Sequence, residues 1–412
     1  MSTEDPLAWS RDYTPVLRSL ADEHGDTGPL DGYTVAVASH LETKTGVFVE
    51  TLHAAGAQVL VTGSEPHSTV GDVVRALETY DGVTTFVEAG MGEEAWVAGQ
   101  HALLEERPDL LLDDGCELIA RVHADHPDVA AEVRGGAEQT TAGIQRLEAM
   151  DEQGVLRFPV YGVNDTPMKT RFDNVHGTGE SALANLMLTT NTMLSGKTVV
   201  VAGYGHCGRG IARKAKGIGA DTVVTEVDPR PALEALMDGH RVLPMAEAAR
   251  EADYVLTATG NRDVVRGEHL EQLRDGGILA NAGHFDVEIA VADLENAAER
   301  TTEPTAGVTR YHLPDGRRVN LLADGRLVNL TGPYSQGHPA EVMDTTFAMM
   351  FEAARDLLAG DPGLAPGLYP VPDRLDRAVA ERTLATMGVA VDDLTDRQRE
   401  YYADWEHPDS AF

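Results

Sequence analysis

Three glycines, Gly203, Gly205 and Gly208, follow the apolar run TVVVA (198–202) and open the helical pattern GIARKAKGIGA. In a strand–turn–helix setting this spacing lets a pyrophosphate approach the backbone and meet the free N–H groups at the helix start. An acid is due roughly 20 residues on, where it bonds an adenosine ribose. Glu226, in VVTEVD, stands there. A carboxylate would repel a 2′-phosphate, so the expected cofactor is NAD rather than NADP, although Arg230 could reach a phosphate. Elsewhere, NDTPMKTRFDN (164–174) sets Lys169 and Asp173 four apart, on one face if helical. GHFDVE (283–288) places His284 just beyond the strand-like GILANA, at the kind of strand end where α/β proteins collect ligands. Each has a plainer reading alone: a surface ion pair, or a hydrogen-bonded structural histidine.

The elements that must hold these residues read as two series of short apolar runs joined by amphipathic stretches. The first comprises YTVAVAS (33–39), AQVLVTG (57–63), VTTFVEAG (83–90), DLLLDDG (109–115) and FPVYGVND (158–165). Helical patterns such as GVFVETLHAAG (46–56) and GEEAWVAGQHALLEE (92–106) lie between them. The second begins at GKTVVVAGYGHCGRG and continues through DTVVTEVD, DYVLTATG and GILANAGH. Buried strands alternating with helices predict parallel sheets covered on both faces. A hairpin with an Asp-Gly turn is expected over 309–322, a long helix over 340–360, and a linker over 361–372. The last 40 residues read as two short helices and a polar tail.

The 412 residues carry 67 acids against 33 bases, a net charge of −34 with only five lysines. That balance argues against nucleic acid or an anionic membrane as partner. Acids spread along the whole chain suit a surface that is screened in high salt. Two cysteines cannot make a disulfide framework. MSTEDPLAWSRD lacks the basic start and apolar core of a signal peptide, and no apolar run of ~18 residues occurs. A cytoplasmic setting is expected, and no metal site is.

Seven ordered motifs, LDDG (112–115), AEQTT (137–141), VNDTPMKTRFDN (163–174), VAGYGHCGRG (201–210), NAGHFDVE (281–288), GRLVNL (325–330) and GHP (337–339), resemble the S-adenosylhomocysteine hydrolases. The resemblance implies an α/β protein with two doubly wound parallel-sheet domains. Residues 1–175 with 338–368 would bind substrate, 176–337 would form a Rossmann NAD domain, and 369–412 a short helical C-terminal segment. It implies reversible hydrolysis of S-adenosyl-L-homocysteine by 3′-oxidation, elimination, water addition and re-reduction, with NAD unchanged overall and a homotetrameric assembly. Lys169 and Asp173 match the pair at the ribose hydroxyls; His40, Asp114 and His284 match the groups at C4′ and C5′. Thr140, Thr141, Asn174 and Asn329 correspond to the nicotinamide end. His338 and Met343 match purine contacts, as does Thr45, and Glu42, Lys44 and Gln139 complete the expected substrate residues.

Several positions depart from the family pattern. Gln139 replaces a ribose-binding carboxylate, Glu42 and Lys44 replace a threonine and an acid, and Thr178 replaces a cysteine. Ser68-Thr69-Val70-Gly71 stands for STQD, and two residues are added before Gly337-His338. The chain ends WEHPDSAF, without the Lys…Tyr tail that reaches a neighbour's NAD. An ammonium at position 44 cannot accept from adenine's 6-amino group but can donate to a 6-oxo group, which brings S-inosyl-L-homocysteine into view. The competing readings are a plain NAD-dependent alcohol dehydrogenase and a non-catalytic NAD-binding regulator.

Overall fold

The computed structural model describes residues 5–359 and 363–405. Residues 1–4 and the closing EHPDSAF, on which the leader and tail expectations partly rest, lie outside the described residues, as do 360–362 of the expected linker. The chain builds two sheets. The first contains β1 (Thr34–Ala38), β2 (Gln58–Thr62), β3 (Val83–Thr85), β4 (Leu110–Asp113), β5 (Gly135–Glu138), β6 (Pro159–Gly162) and a late strand, Gly367–Pro370. Every pairing in it is parallel, in the order Gly367–Pro370, β6, β5, β4, β1, β2, β3.

The second sheet contains β7 (Thr198–Ala202), β8 (Asp221–Thr225), β9 (Arg241–Val242), β10 (Tyr254–Thr257), β11 (Gly277–Asn281), β12 (Arg300–Thr305), β13 (Val308–His312) and β14 (Arg318–Leu322). Its order is β12-β13-β14-β11-β10-β7-β8-β9, parallel except for the antiparallel β12–β13–β14 edge. The expected hairpin is therefore present, with β12 added on its outer side. This sheet is mixed rather than wholly parallel.

Chain order reverses between β1 and β4 in the first sheet and between β7 and β10 in the second. Such switch points open a crevice beyond the strands' carboxyl ends, where ligands bind in doubly wound sheets. The apolar side chains of β1, β2 and β4 share one core with the helix Ala340–Leu358, whose Phe347 stacks on Phe48 of the helix Thr43–Ala54 at 4.7 Å. Two further helices, Asp373–Thr386 and Asp396–Ala403, close the described chain; the second has no buried residue.

The stretch expected as a linker instead carries the strand Gly367–Pro370, paired with β6. Pro370 is tolerated because an edge strand owes hydrogen bonds to one side only. Among the described residues no helix is long and apolar enough to cross a membrane.

Candidate active site

One cavity of about 960 Å³ lies against both switch points. Ser39 and His40 follow β1, Asp114 follows β4, and Gln139 to Thr141 follow β5. Across the cavity stand the Gly203 turn after β7, Thr225 and Glu226 at the end of β8, and His284 after β11. Of the residues expected from sequence, all line this cavity except Lys44 and Gly208. Gly208 works from behind: a Cβ there would stand 2.0 Å from the Gly203 carbonyl oxygen, so only glycine lets the turn and helix meet.

The residues fit NAD. Gly205 caps the helix His206–Gly217 with open space at its Cα, while Glu226 Oε2 accepts from Tyr204 N at 2.8 Å beside the turn. Arg230 does not line the cavity: it is held by Asp228 at 2.5 Å, which removes the one sequence feature pointing to a 2′-phosphate. Asn329 Nδ2 donates to Ser181 Oγ at 3.0 Å, and its buried Oδ1 has no partner among the described residues. An unsatisfied buried acceptor lining a cavity is a standing offer to a ligand donor.

Lys169 and Asp173 sit where the chain changes helical form. Lys169 ends a short α-turn and Asp173 lies in the π-helical turn Thr170–Gly177. The wider turn brings residue i+5 onto the lysine's face. Lys169 Nζ accordingly donates to Asn174 Oδ1 at 2.6 Å and lies 3.5 Å from Asp173 Oδ1. The expected i,i+4 pair is therefore present, with Asn174 as a further partner of the lysine. Burial works to raise the Asp173 pKa, but Lys169 and His338 overcome it and hold the carboxyl well below the usual carboxylate range. His338 Nδ1 lies 2.8 Å from Asp173 Oδ1, and Thr346 Oγ1 donates to Oδ2 at 2.7 Å. Sequence reasoning assigned His338 to the purine and gave no sign of this contact, which joins residues 165 positions apart.

His284, from the second sheet, reaches over to His40 and Asp114 of the first. His40 Nε2 is 3.9 Å from Asp114 Oδ2, and the two imidazole centroids are 5.8 Å apart. His40 Nδ1 meets Ser68 Oγ at 2.7 Å, which fixes the ring. Burial lowers the pKa of both histidines, that of His284 to about 4, with the Asp114 charge opposing. Both rings are therefore neutral near pH 7 and able to accept a proton. Their ligand atoms and that of Asp114 lie within 4.8 Å of one another, close enough to share one divalent cation as well. Gln139 Nε2 donates to Asp114 Oδ2 at 2.9 Å, leaving its buried Oε1 without a partner among the described residues.

Sequence reasoning missed what holds this group. Glu138, fully buried at the end of β5, accepts from Gly115 N at 3.0 Å, Cys116 N at 2.8 Å and Thr140 N at 2.7 Å. One carboxylate thus ties the Asp114 turn, where Cys116 has φ 58°, to the loop carrying Gln139 and Thr140. Burial first, then the charges of Asp113 and Asp114, push its pKa well up. Gly143 leaves the room, since a Cβ there would meet the Glu138 carboxyl at 2.2 Å. Glu138→Gln should cost about 1–3 kcal/mol of stability through its mismatched N–H partners. It should also lower kcat by up to about 10²-fold through a displaced Asp114. Unchanged kcat and melting temperature would release Glu138 from this duty.

Residues 6–127 match the family model of S-adenosyl-L-homocysteine hydrolase, and residues 174–334 match that of its NAD binding domain. The S-inosyl-L-homocysteine hydrolase of Methanopyrus kandleri is 50% identical over 98% of this chain and 94% of its own. The adenosylhomocysteinase of Haloquadratum walsbyi is 49% identical over 97% of this chain and 93% of its own. That of Thermotoga maritima is 45% identical over 98% and 99%. The chain belongs to the S-adenosyl-L-homocysteine hydrolase family, and its cofactor is NAD.

Proposed function

We propose that this chain reversibly hydrolyses S-adenosyl-L-homocysteine to adenosine and L-homocysteine. The observation that carries the reading is a single cavity joining the Lys169–Asp173 pair to the His40–Asp114–His284 group. The glycine turn and Glu226 would hold NAD, which would supply reversible hydride acceptance beside the nucleoside. Lys169, oriented by Asn174 and Asp173, serves the 3′-hydroxyl. The neutral imidazoles of His40 and His284 accept the C4′ proton and return it, with Asp114 stabilising the charged ring. Gln139 offers its free Oε1 to a ribose hydroxyl. Residues 1–175 and 338–368 bind the substrate, 176–337 the cofactor, and 369–412 form the C-terminal segment. Thiol release from the substrate without net NADH is the expected result; NADH accumulation would mark a dehydrogenase, and silence in both assays a regulator.

A second reading concerns the base. Lys44 Nζ sits 2.6 Å from Glu42 Oε2 and also donates to the Gln336 carbonyl, while Glu42 lines the cavity. Glu42 offers an acceptor at the cavity, and Lys44, which does not line it, holds that carboxylate from behind. Adenine can donate to this acceptor through its 6-amino group, and hypoxanthine through N1–H. The Methanopyrus kandleri relative favours S-inosyl-L-homocysteine as an additional substrate. Lys44→Gln should shift the ratio of kcat/KM for the two nucleosides by about 1–3 kcal/mol, toward the adenosyl form. A ratio unmoved by the substitution would take Lys44 out of base recognition.

A cytoplasmic setting and the homotetramer that family membership implies are further parts of the proposal, and the charge of −34 adds a surface adapted to high salt. Its melting temperature should climb steeply from low to molar KCl as screening relieves acid–acid repulsion. A flat curve would leave an ordinary acidic surface.

A further inference from the structure

A second cavity, of about 380 Å³, lies where the π-helical turn Thr170–Gly177 crosses the helix His206–Gly217. The crossing is tight: a Cβ on Gly210 would stand 1.9 Å from the Val175 carbonyl oxygen. Side chains flanking this contact ring the hollow. They are Arg171, Arg209, Arg213 and Lys214, with His176 and His206. No acidic residue lines it, in a chain where acids outnumber bases 67 to 33.

Three of the cations are tethered from outside. Arg213 lies 2.9 Å from Asp238, Lys214 lies 2.5 Å from Glu180, and Arg209 pairs with Glu234. These pairs fix the direction of the side chains without using all their donors. Arg209 Nε is buried with no partner. Arg171, His176 and His206 make no hydrogen bond or ion pair among the described residues. Four sets of unused N–H donors therefore face one hollow. Among the described residues Arg171 is the one cation of the four that no acid pairs, so an anion in the hollow would meet an uncompensated guanidinium. Guanidinium groups are suited to the oxygen geometry of phosphate, which they bind through paired N–H bonds.

We propose that this cavity binds a small oxyanion of the phosphate class, supplied as inorganic phosphate or as a phosphomonoester. His206 lines both this cavity and the active cavity, so the occupant lies one side chain away from the glycine turn. Calorimetric titration of the NAD-loaded enzyme with inorganic phosphate, at ionic strength held constant with KCl, tests it. Saturable binding of one phosphate per chain is expected, weakened at least 10-fold in Arg171→Gln and in Arg213→Gln. Both variants should keep ordinary thiol release. A parallel titration with glycerol phosphate separates the sources: tighter binding than phosphate assigns the site to a phosphomonoester, weaker binding to the free ion. Heats no larger than those of the KCl control, or equal affinity in wild type and both variants, would overturn the proposal.

Discussion

Lys169→Met and Asp173→Asn should each cut thiol release by about 10²–10⁴-fold, the scale of a positioned acid–base group. Both side chains are buried in the wall of the active cavity and oriented by further groups, Asn174 for the lysine and His338 and Thr346 for the aspartate. The substitutions leave the glycine turn and Glu226 alone, since these belong to a different sheet, and Lys169→Met frees only the Asn174 amide at the nicotinamide end. NAD should therefore stay bound through gel filtration. On mixing with nucleoside, absorbance in the NADH band should remain flat, because the step at the 3′-hydroxyl is the one removed. Near-normal thiol release in either variant would sink the assignment of this pair to the redox step.

Legibility in the sequence followed how local each signal was. The glycine turn and Glu226 are set by one strand, one turn and the next strand, and they stand where the spacing predicts. β5 escaped notice because GGAE has no β-branched residue. Its small residues answer to tertiary packing: a Cβ on Gly135 would press on Leu357, and one on Gly136 on Ile119 and Phe158. β12, RTTEPT, is wholly exposed, so it carries no apolar alternation to read. The catalytic residue types were legible as family matches, but their supports were not. Glu138 joins two loops across adjacent strands, and His338 reaches Asp173 from the far end of the chain. No periodicity encodes such contacts.

Asp114→Asn should also lower thiol release by about 10²–10⁴-fold, yet leave a different spectroscopic trace. Asp114 is buried and grouped with His40 and His284, a set separate from the Lys169–Asp173 ion pair. Its Oδ2 accepts from Gln139 Nε2 at 2.9 Å, a bond that an amide nitrogen turned the same way could not accept. The substitution also removes the negative charge that opposes burial at both histidines, so neither ring would take a proton as readily. Oxidation at the 3′-hydroxyl, served by Lys169 and Asp173, should still proceed. NADH-band absorbance should then rise on mixing with nucleoside and persist, because the later proton transfers are blocked. A flat trace with retained NAD and an unchanged melting temperature would move Asp114 into the redox step and leave the two histidines alone at C4′ and C5′. The contrast between an accumulating signal here and a silent one at Lys169 is what divides the cavity into two chemical halves.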